Sequence, residues 1–270
     1  HLDHLSDLSK ELDAAPVVCQ PPTDITADES ASKDLIGALH AKITLEAGFT
    51  TIRNVGSGSY AEVALKRFIN EGRFPGPRIF TATKGLGITG GHADINGWSP
   101  DVPLRGYAQI VDGVDAVRHA VREQIKFGAD LIKITASGGV LSSGDSVNHE
   151  QYSEEEIRAA VEEAGRLGRK VAAHAHAAKA IVNAVRAGVA SIEHGSLIDD
   201  EGIALMKQKG TYPVPTLYTL DFIINEGREH GVPQYGIDKA KEVAKVQRAN
   251  LKRAYQAGVR FAYGTDAAVF

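Results

Sequence analysis

The chain repeats one unit along most of its length: a short apolar run, a loop, a helical pattern and a glycine. Nearly every helical pattern ends at a glycine, which adopts the left-handed conformation at a helix end without steric cost. The helical patterns lie near 33–47, 59–72, 112–127, 153–167, 177–187, 199–209 and 235–257. The apolar runs are rich in Val, Ile, Ala and Thr, as is typical of strands buried on both faces. They lie near 50–55, 77–83, 131–136, 170–175, 190–194, 211–216 and 260–265.

This alternation predicts an α/β fold, specifically a (β/α)₈ TIM barrel that forms one domain over residues 1–270. The eighth strand is expected at or before His1. Because the chain starts at His1 and stops directly after a predicted strand, we expect the barrel to be truncated at both ends. The alternative is a doubly wound open sheet, which would need a Gly-x-Gly-x-x-Gly loop. Gly56-Ser-Gly58 lacks the third glycine, so the barrel is favoured.

Composition narrows the classes of partner. The formal charge is −4 and no basic stripe is present, so we expect no nucleic-acid partner. No apolar run approaches the roughly 18–20 residues of a membrane span. The lone Cys19 excludes an internal disulfide and leaves the compartment open. The expected partner is a small-molecule peptide or amide substrate, and a homo-oligomer is left open.

Four polar residues stand at the ends of four predicted strands: Lys133, His174, His194 and Asp266. Barrel active sites are assembled from the carboxyl ends of strands, so these side chains are expected in one pocket. Imidazole is the commonest neutral ligand of zinc-like ions. Two histidines on successive strands, followed by an aspartate, therefore predict a metal site.

Lys133 is predicted to point into the barrel. Side chains alternate along a strand, so Ile132 and Ile134 take the opposite face, toward the covering helices. A buried, unpaired ammonium is costly. Lys133 must therefore pair with a carboxylate or lose its proton and react. A neutral amine can add CO₂ to form a carbamate that bridges two metals, or it can form a Schiff base.

Three further residues are candidates for substrate contact. His176 follows His174 by two residues, so it shares the barrel-facing side and would either polarise a carbonyl oxygen or support a ligand. His92 follows Gly90-Gly91 in a long glycine-rich loop over 84–111, and loops of this kind are often functional. Tyr218 follows the strand at 211–216 and would bind a carbonyl or carboxylate.

Two charged residues near the predicted pocket are interpreted as structural. Arg53 closes the strand at 50–55 and is expected in an ion pair rather than as a substrate anchor. Glu193 precedes His194, so alternation predicts that it points to the opposite face of its strand.

As an ordered set, several short segments resemble the amidohydrolase superfamily of metal-dependent hydrolases. They are Gly-Phe-Thr-Thr-Ile-Arg (48–53), Ala-Asp-Leu-Ile-Lys-Ile (129–134), Ala-His-Ala-His (173–176), Ser-Ile-Glu-His-Gly (191–195) and Gly-Thr-Asp (264–266). Within the superfamily the chain is similar to the dipeptidase and imidazolonepropionase-like branch. The strand lysine favours the prolidase-like Xaa-Pro and Xaa-Arg dipeptidases, since imidazolonepropionases lack it.

The resemblance implies a binuclear site, most simply two Zn²⁺ ions bridged by carbamylated Lys133. It implies that His174 and His194 bind one metal, and that Asp266 binds the other and accepts a proton from the bridging water. The family's first strand supplies a His-x-His pair, whereas this chain begins His1-Leu-Asp-His4. We interpret His1 as the second histidine of that pair, with the first lying just before it.

The predicted function is therefore hydrolysis of the amide bond of dipeptides or N-acyl amino acids by a metal-activated hydroxide. One alternative is a cyclic amide hydrolase of the imidazolonepropionase type, with one metal. The other is an aldolase-type barrel with Lys133 as the Schiff-base nucleophile and no metal.

Overall fold

The computed structural model describes residues 27–99, 101–102, 104 and 106–266. The eighth strand predicted at or before His1 lies outside these residues. The helices are α1 (Ala27–Glu46), α2 (Ala61–Asn70), α3 (Val114–Lys126), α4 (Glu154–Arg166), α5 (Ala178–Ala187), α6 (Asp200–Lys209), α7 (Leu217–Asn225) and α8 (Gln234–Gln256). The strands are β1 (Thr51–Asn54), β2 (Arg78–Thr81), β3 (Leu86–Gly87), β4 (Gln109–Ile110), β5 (Ile132–Thr135), β6 (Val171–Ala175), β7 (Ser191–His194) and β8 (Tyr212–Val214).

All strand pairing is parallel among the described residues. Six strands form one sheet in the order β4-β3-β5-β6-β7-β8, and β1 pairs with β2. The amide of Asp130 donates to the Thr81 carbonyl at 2.7 Å, which brings the end of β2 beside the start of β5. The amide of Ala262 donates to the Pro213 carbonyl at 3.0 Å, so the extended segment 260–265 runs along β8. The fold is a (β/α)₈ barrel, as predicted, and the open-sheet alternative is wrong.

The main core lies between the strands and the helices that cover them. Ile132 and Ile134 each expose 1% of their surface and pack in this core with residues of α3, α4 and α5. Their burial on the outer face confirms that Lys133, between them, faces the barrel interior. The interior itself is filled by smaller apolar groups, with Ala82, Leu131 and Ala172 in one cluster.

A second core sits at the carboxyl end of the barrel. It joins Val140 and Val147, from the loop at 137–152, to Phe222 of α7 and to Ile237 and Val243 of α8. This core is what holds that loop over the mouth of the barrel.

Several helices begin or end at a recognisable local feature. Ser153 and Glu156 form a capping box that opens α4. The glycines after α5 and α6, Gly188 and Gly210, have φ of 100° and 73°. Helix α7 lies between the helical patterns at 199–209 and 235–257, where no helix was predicted, and its N-cap, Thr216, makes no side-chain capping hydrogen bond. The two-residue strands β3 and β4 are too short for a periodic signal in the loop at 84–111. Within the described ranges, no helix has the length and apolar character needed to cross a bilayer.

Candidate metal centre

Three imidazoles meet at the carboxyl ends of β6 and β7. His174, His176 and His194 each offer a nitrogen, and these nitrogens lie within 4.8 Å of one another. The ring centroids are 4.7 to 4.9 Å apart, and the rings of His176 and His194 stack nearly in parallel. In the part of the chain that the structure describes, no second group of three such residues can hold a metal ion.

The register of β6 and β7 explains why Glu193 also faces this interior. His174 is paired with Glu193, and residues paired across parallel strands project to the same face. Glu193 therefore shares the face of His174. The expectation that Glu193 points away from the pocket is wrong, because it assumed that His194 continues the alternation of the strand.

His194 reaches the pocket by a backbone turn instead. Its register partner is Ala175, which packs in the outer core, so regular alternation would direct His194 toward the helices. The φ of His194 is 72°, a left-handed conformation that a residue with a Cβ adopts at a cost of roughly 1 kcal/mol. Thr216, after β8, and Asp266 also have positive φ, of 44° and 58°. The carboxyl ends of neighbouring strands thus carry backbone strain, a frequent feature of functional sites.

Hydrogen bonds to each imidazole determine which nitrogen is free. His174 Nε2 lies 3.3 Å from the Gly138 carbonyl, which can only accept, so Nε2 carries the proton and Nδ1 carries the lone pair. His194 Nδ1 is bonded to Thr216 Oγ1 at 2.7 Å, and His176 Nδ1 to Ser196 Oγ at 2.9 Å. Their Nε2 atoms are left for a ligand. Such second partners commonly orient histidines that bind metals.

Burial keeps these imidazoles neutral, as metal ligands must be. Desolvation lowers the pKa of His194 to about 3, helped by the charge of Lys133. Desolvation, followed by the neighbouring histidines, also holds the pKa values of His174 and His176 well below the ordinary value.

Lys133 lies beneath the histidines and is 9% exposed. Among the described residues it has no hydrogen bond and no ion pair. Burial lowers the pKa of its amine and outweighs the opposite effect of the Glu193 and Asp266 carboxylates. The side chain is therefore biased toward the neutral, nucleophilic form.

The expected ion pair of Arg53 is present and crosses the barrel interior. Its guanidinium donates to both carboxylate oxygens of Glu193, at 2.8 and 3.0 Å, and to Ser191 Oγ at 2.7 Å. Glu193 is therefore committed to Arg53 and is not an ion-pair partner of Lys133. This arrangement explains why Lys133 has no ion pair in the described part of the chain, although the barrel interior contains a carboxylate.

Asp266 is the last residue that the structure describes, and it follows the segment beside β8. Burial raises the pKa of its carboxyl, while the charges of Lys133 and His92 act in the opposite direction. Those interactions place Asp266 near both residues. A carboxyl with a raised pKa is suited to proton transfer near neutral pH.

The other predicted site residues are distributed as follows. His92 packs on His174, with ring centroids 4.6 Å apart. Burial lowers its pKa to about 4, although the Asp145 charge opposes the change. Tyr218 lies in the first turn of α7 and is 55% exposed at the same end of the barrel. His1 lies outside the described residues. The roles of all of these residues stay predictions.

Sequence reasoning missed the residues that support the histidines. They come from distant parts of the chain, namely Ser142, Asp145, Ser196, Thr216, Lys239 and Gln247. Gln247 of α8, for example, donates to Ser196 Oγ at 3.2 Å and so supports the partner of His176. None of these residues has a spacing or motif that marks it. The glycine pair Gly138-Gly139 is the one local signal in this region.

The donor set fits a divalent metal site. Three imidazoles bring nitrogens within 4.8 Å of one another, and the Lys133 amine is buried beside them with no partner among the described residues. Burial of an unpaired ammonium is costly. The cost is avoided if the amine is neutral, or if it is converted to a carbamate anion that binds metal cations.

The sequence profile described as the amidohydrolase family matches residues 5–269. An ochratoxinase of Aspergillus niger is 37% identical over 238 residues, which are 83% of this chain and 49% of that protein. The chain thus spans about half the length of the curated relative that it matches.

Solved structures give the same result. A Xaa-Pro dipeptidase with bound methionine in its active site matches with a TM-score of 0.84 and 39% identity, over 93% of this chain and 62% of that chain. A prolidase complexed with N-methylphosphonate-L-proline matches with a TM-score of 0.79 and 40% identity, over 86% and 59% of the two chains.

Proposed function

The chain belongs to the amidohydrolase family, and from this premise we propose that it acts as a metal-dependent hydrolase of dipeptides or N-acyl amino acids. One observation carries the proposal: three imidazoles whose ligand atoms lie within 4.8 Å of one another, above a buried lysine with no partner among the described residues. The similarity to a Xaa-Pro dipeptidase and to a prolidase supports a dipeptide substrate over a cyclic amide.

The proposed site would hold two divalent ions, most simply Zn²⁺. His174, through Nδ1, and His194, through Nε2, would bind one of them, and Asp266 the other. His1, which lies outside the described residues, is proposed as a further ligand. Bound metals of this kind lower the pKa of water and polarise a carbonyl group.

Lys133 would act as the bridging ligand after modification. Its neutral amine would attack CO₂: an N–C bond forms as one C–O π bond of CO₂ opens, and the nitrogen releases one proton. The product is a carbamate anion with two oxygens, which can bind two cations where an ammonium would repel them. Burial favours the neutral amine that this reaction requires.

The remaining residues handle protons and substrate. Asp266 would accept a proton from the attacking water and pass it to the leaving nitrogen, as cleavage of an amide requires. His176 would donate from its ring toward the carbonyl oxygen, oriented by Ser196. His92 and Tyr218 would contact the substrate at the barrel mouth.

The test combines metal content with hydrolysis. We expect about two zinc ions per chain, and hydrolysis of a panel of dipeptides and N-acyl amino acids that is promoted by bicarbonate. Lys133→Ala should lower both metal content and activity by at least tenfold, because it removes the bridge. Lys209→Ala is the matched control: this lysine is exposed and ends α6, at the opposite end of the barrel.

Other outcomes would identify the alternatives. One metal per chain that survives Lys133→Ala would favour the cyclic amide hydrolase. The neutral Lys133 amine is also what a Schiff base requires. Covalent trapping of a carbonyl substrate by borohydride at Lys133, in protein that contains no metal, would contradict the proposal and favour the aldolase type.

A further inference from the structure

A hydrogen-bonded chain leads from His92 away from the metal centre. His92 Nδ1 lies 2.7 Å from Ser142 Oγ, and the Ser142 hydroxyl donates to Asp145 Oδ1 at 2.6 Å. His92 comes from the loop at 84–111, while Ser142 and Asp145 come from the loop at 137–152. Neither Ser142 nor Asp145 has a part in the proposed metal chemistry.

Asp145 is surrounded by donors. Its Oδ1 also accepts from Lys239 Nζ of α8 at 2.8 Å, and its Oδ2 accepts from the Gly139 amide at 3.1 Å and from Gln151 Nε2 at 3.3 Å. Burial alone would raise the pKa of Asp145, but hydrogen bonds from Lys239, Ser142 and Gly139 outweigh it and lower that pKa. Asp145 is therefore an ionised carboxylate at neutral pH and can only accept hydrogen bonds.

This fixes the direction of the next hydrogen bond. Ser142 has one hydroxyl proton, and it is donated to Asp145. The Ser142 oxygen must then accept from His92, so Nδ1 of His92 carries the ring proton. Among the described residues, no side chain or backbone group forms a hydrogen bond with His92 Nε2.

Gly139 fixes the position of the same ring. A Cβ at Gly139 would lie 2.2 to 2.4 Å from Cε1, Nε2 and Nδ1 of His92, so the ring rests directly against the glycine backbone. Lys239 Nζ also donates to the Gly139 carbonyl, at 3.0 Å, and to the Ser142 carbonyl, at 2.8 Å. Helix α8 thus anchors the loop at 137–152. Gly139 of that loop contacts one face of the His92 ring, and Ser142 forms the hydrogen bond with Nδ1.

We propose that Ser142 and Asp145 are positioning residues that hold the His92 ring with a proton on Nδ1, donated to Ser142 Oγ, so that Nε2 is presented to the substrate. Lys239 supports them by anchoring Asp145 and the backbone around it. The substrate contact rests on the proposed function, whereas the tautomer is a property of the protein alone.

The first experiment reads the tautomer without substrate. In long-range ¹H–¹⁵N spectra of the imidazoles, the signal that is lost in His92→Gln should have the Nδ1–H pattern. Ser142→Ala should convert it to a mixture of tautomers, and Ser142→Thr, which keeps the hydroxyl, should restore it. An Nε2–H pattern in the native protein, or an unchanged pattern in Ser142→Ala, would overturn the proposal.

The second experiment measures kcat and KM separately. Ser142→Ala should lower kcat/KM roughly fivefold to twentyfold, the effect of losing one hydrogen bond of about 1 to 2 kcal/mol. In a His92→Gln background the same substitution should have no further effect. Ser146→Ala, in the same loop, is the matched control, since within the described ranges its hydroxyl makes one hydrogen bond, accepted from the Asn148 amide at 3.3 Å.

The two experiments separate the two proposals. Equal losses from Ser142→Ala with and without His92 would show that Ser142 acts independently of His92 and would overturn the positioning role. If the native protein cleaves no amide of the panel, the proposed function fails, and the imidazole spectra still decide whether Ser142 and Asp145 hold His92.

Discussion

At the scale of single residues, Gly139 determines whether His92 can lie against His174. The glycine backbone contacts the His92 ring so closely that any side chain would occupy the space of the ring. Its neighbour Gly138 is equally constrained, since a Cβ there would lie 2.0 Å from the Ser146 carbonyl oxygen. A side chain at either glycine would therefore prevent the close contacts that the backbone makes here with the His92 ring and the Ser146 carbonyl.

Gly139→Ala should displace the His92 ring and lower kcat/KM to the level of His92→Ala, because the new methyl group takes the place of Nδ1, Cε1 and Nε2. In a His92→Ala background the same substitution should be neutral, since the space is then vacant. Steady-state kinetics of the four proteins checks this. Gly165→Ala in α4 is the control, because nothing lies within 4 Å of its Cβ position.

An equal loss in both backgrounds would contradict this account of Gly139. It would mean that the methyl group disturbs the loop backbone rather than the imidazole.

At the scale of elements, the ion pair of Arg53 with Glu193 joins β1 to β7 across the barrel. The two strands belong to separate hydrogen-bonded sheets in the described part of the chain, so this contact connects opposite walls. The Glu193 side chain is only 5% exposed, whereas that of Arg53 is 34% exposed. Loss of the arginine would therefore leave a buried carboxylate without its partner.

Arg53→Met should lower the free energy of unfolding by roughly 2 to 3 kcal/mol, the cost of a buried, unpaired charge, moderated here by the partial exposure of Arg53. Adding Glu193→Gln should recover part of that loss, since no buried charge then remains. Urea unfolding of the single and double variants measures the coupling. Arg78→Met on β2 is the control, because the Arg78 side chain is exposed and, among the described residues, makes one hydrogen bond, to Thr51. Strictly additive losses would show that the pair does not stabilise the barrel.

Helix α8 has a comparable connecting role at the barrel mouth. Lys239 anchors the loop that holds His92, and Gln247, two turns later, reaches Ser196 beside His176. Both supports are polar groups on a helix whose apolar face packs on α7 and on the loop at 137–152. One helix therefore orients two of the imidazoles from outside the barrel wall.

At the scale of the whole molecule, the barrel was predictable because its signals are local. Periodicity and helix-ending glycines mark each element, and alternation within β5 correctly placed Lys133 inside. His194 shows where that reasoning fails, since its position depends on a left-handed φ that breaks the alternation. The support of His92 depends on Asp145 and Lys239, which are 94 residues apart and meet only in the folded protein.

The acid stability of the metal-free protein reflects all four pocket histidines together. Burial holds their pKa values low, to about 4 for His92 and about 3 for His194, and well below the ordinary value for His174 and His176. In the unfolded chain, imidazoles titrate near 6.5. Below about pH 6.5 the unfolded state therefore binds more protons than the native state, and stability falls as the pH decreases.

The expected slope is roughly 1.4 kcal/mol per pH unit for each imidazole between about pH 6 and pH 4.5. Asp266 acts in the opposite direction, because burial raises the pKa of its carboxyl and the native state then binds more protons there than the unfolded chain. Urea unfolding of metal-free protein at several pH values measures the slope. His92→Gln should reduce the slope by the contribution of one imidazole, roughly 1.4 kcal/mol per pH unit. His119→Gln, which replaces an exposed histidine of α3, is the matched control. An unchanged slope in His92→Gln would mean that burial does not hold His92 neutral in the native protein.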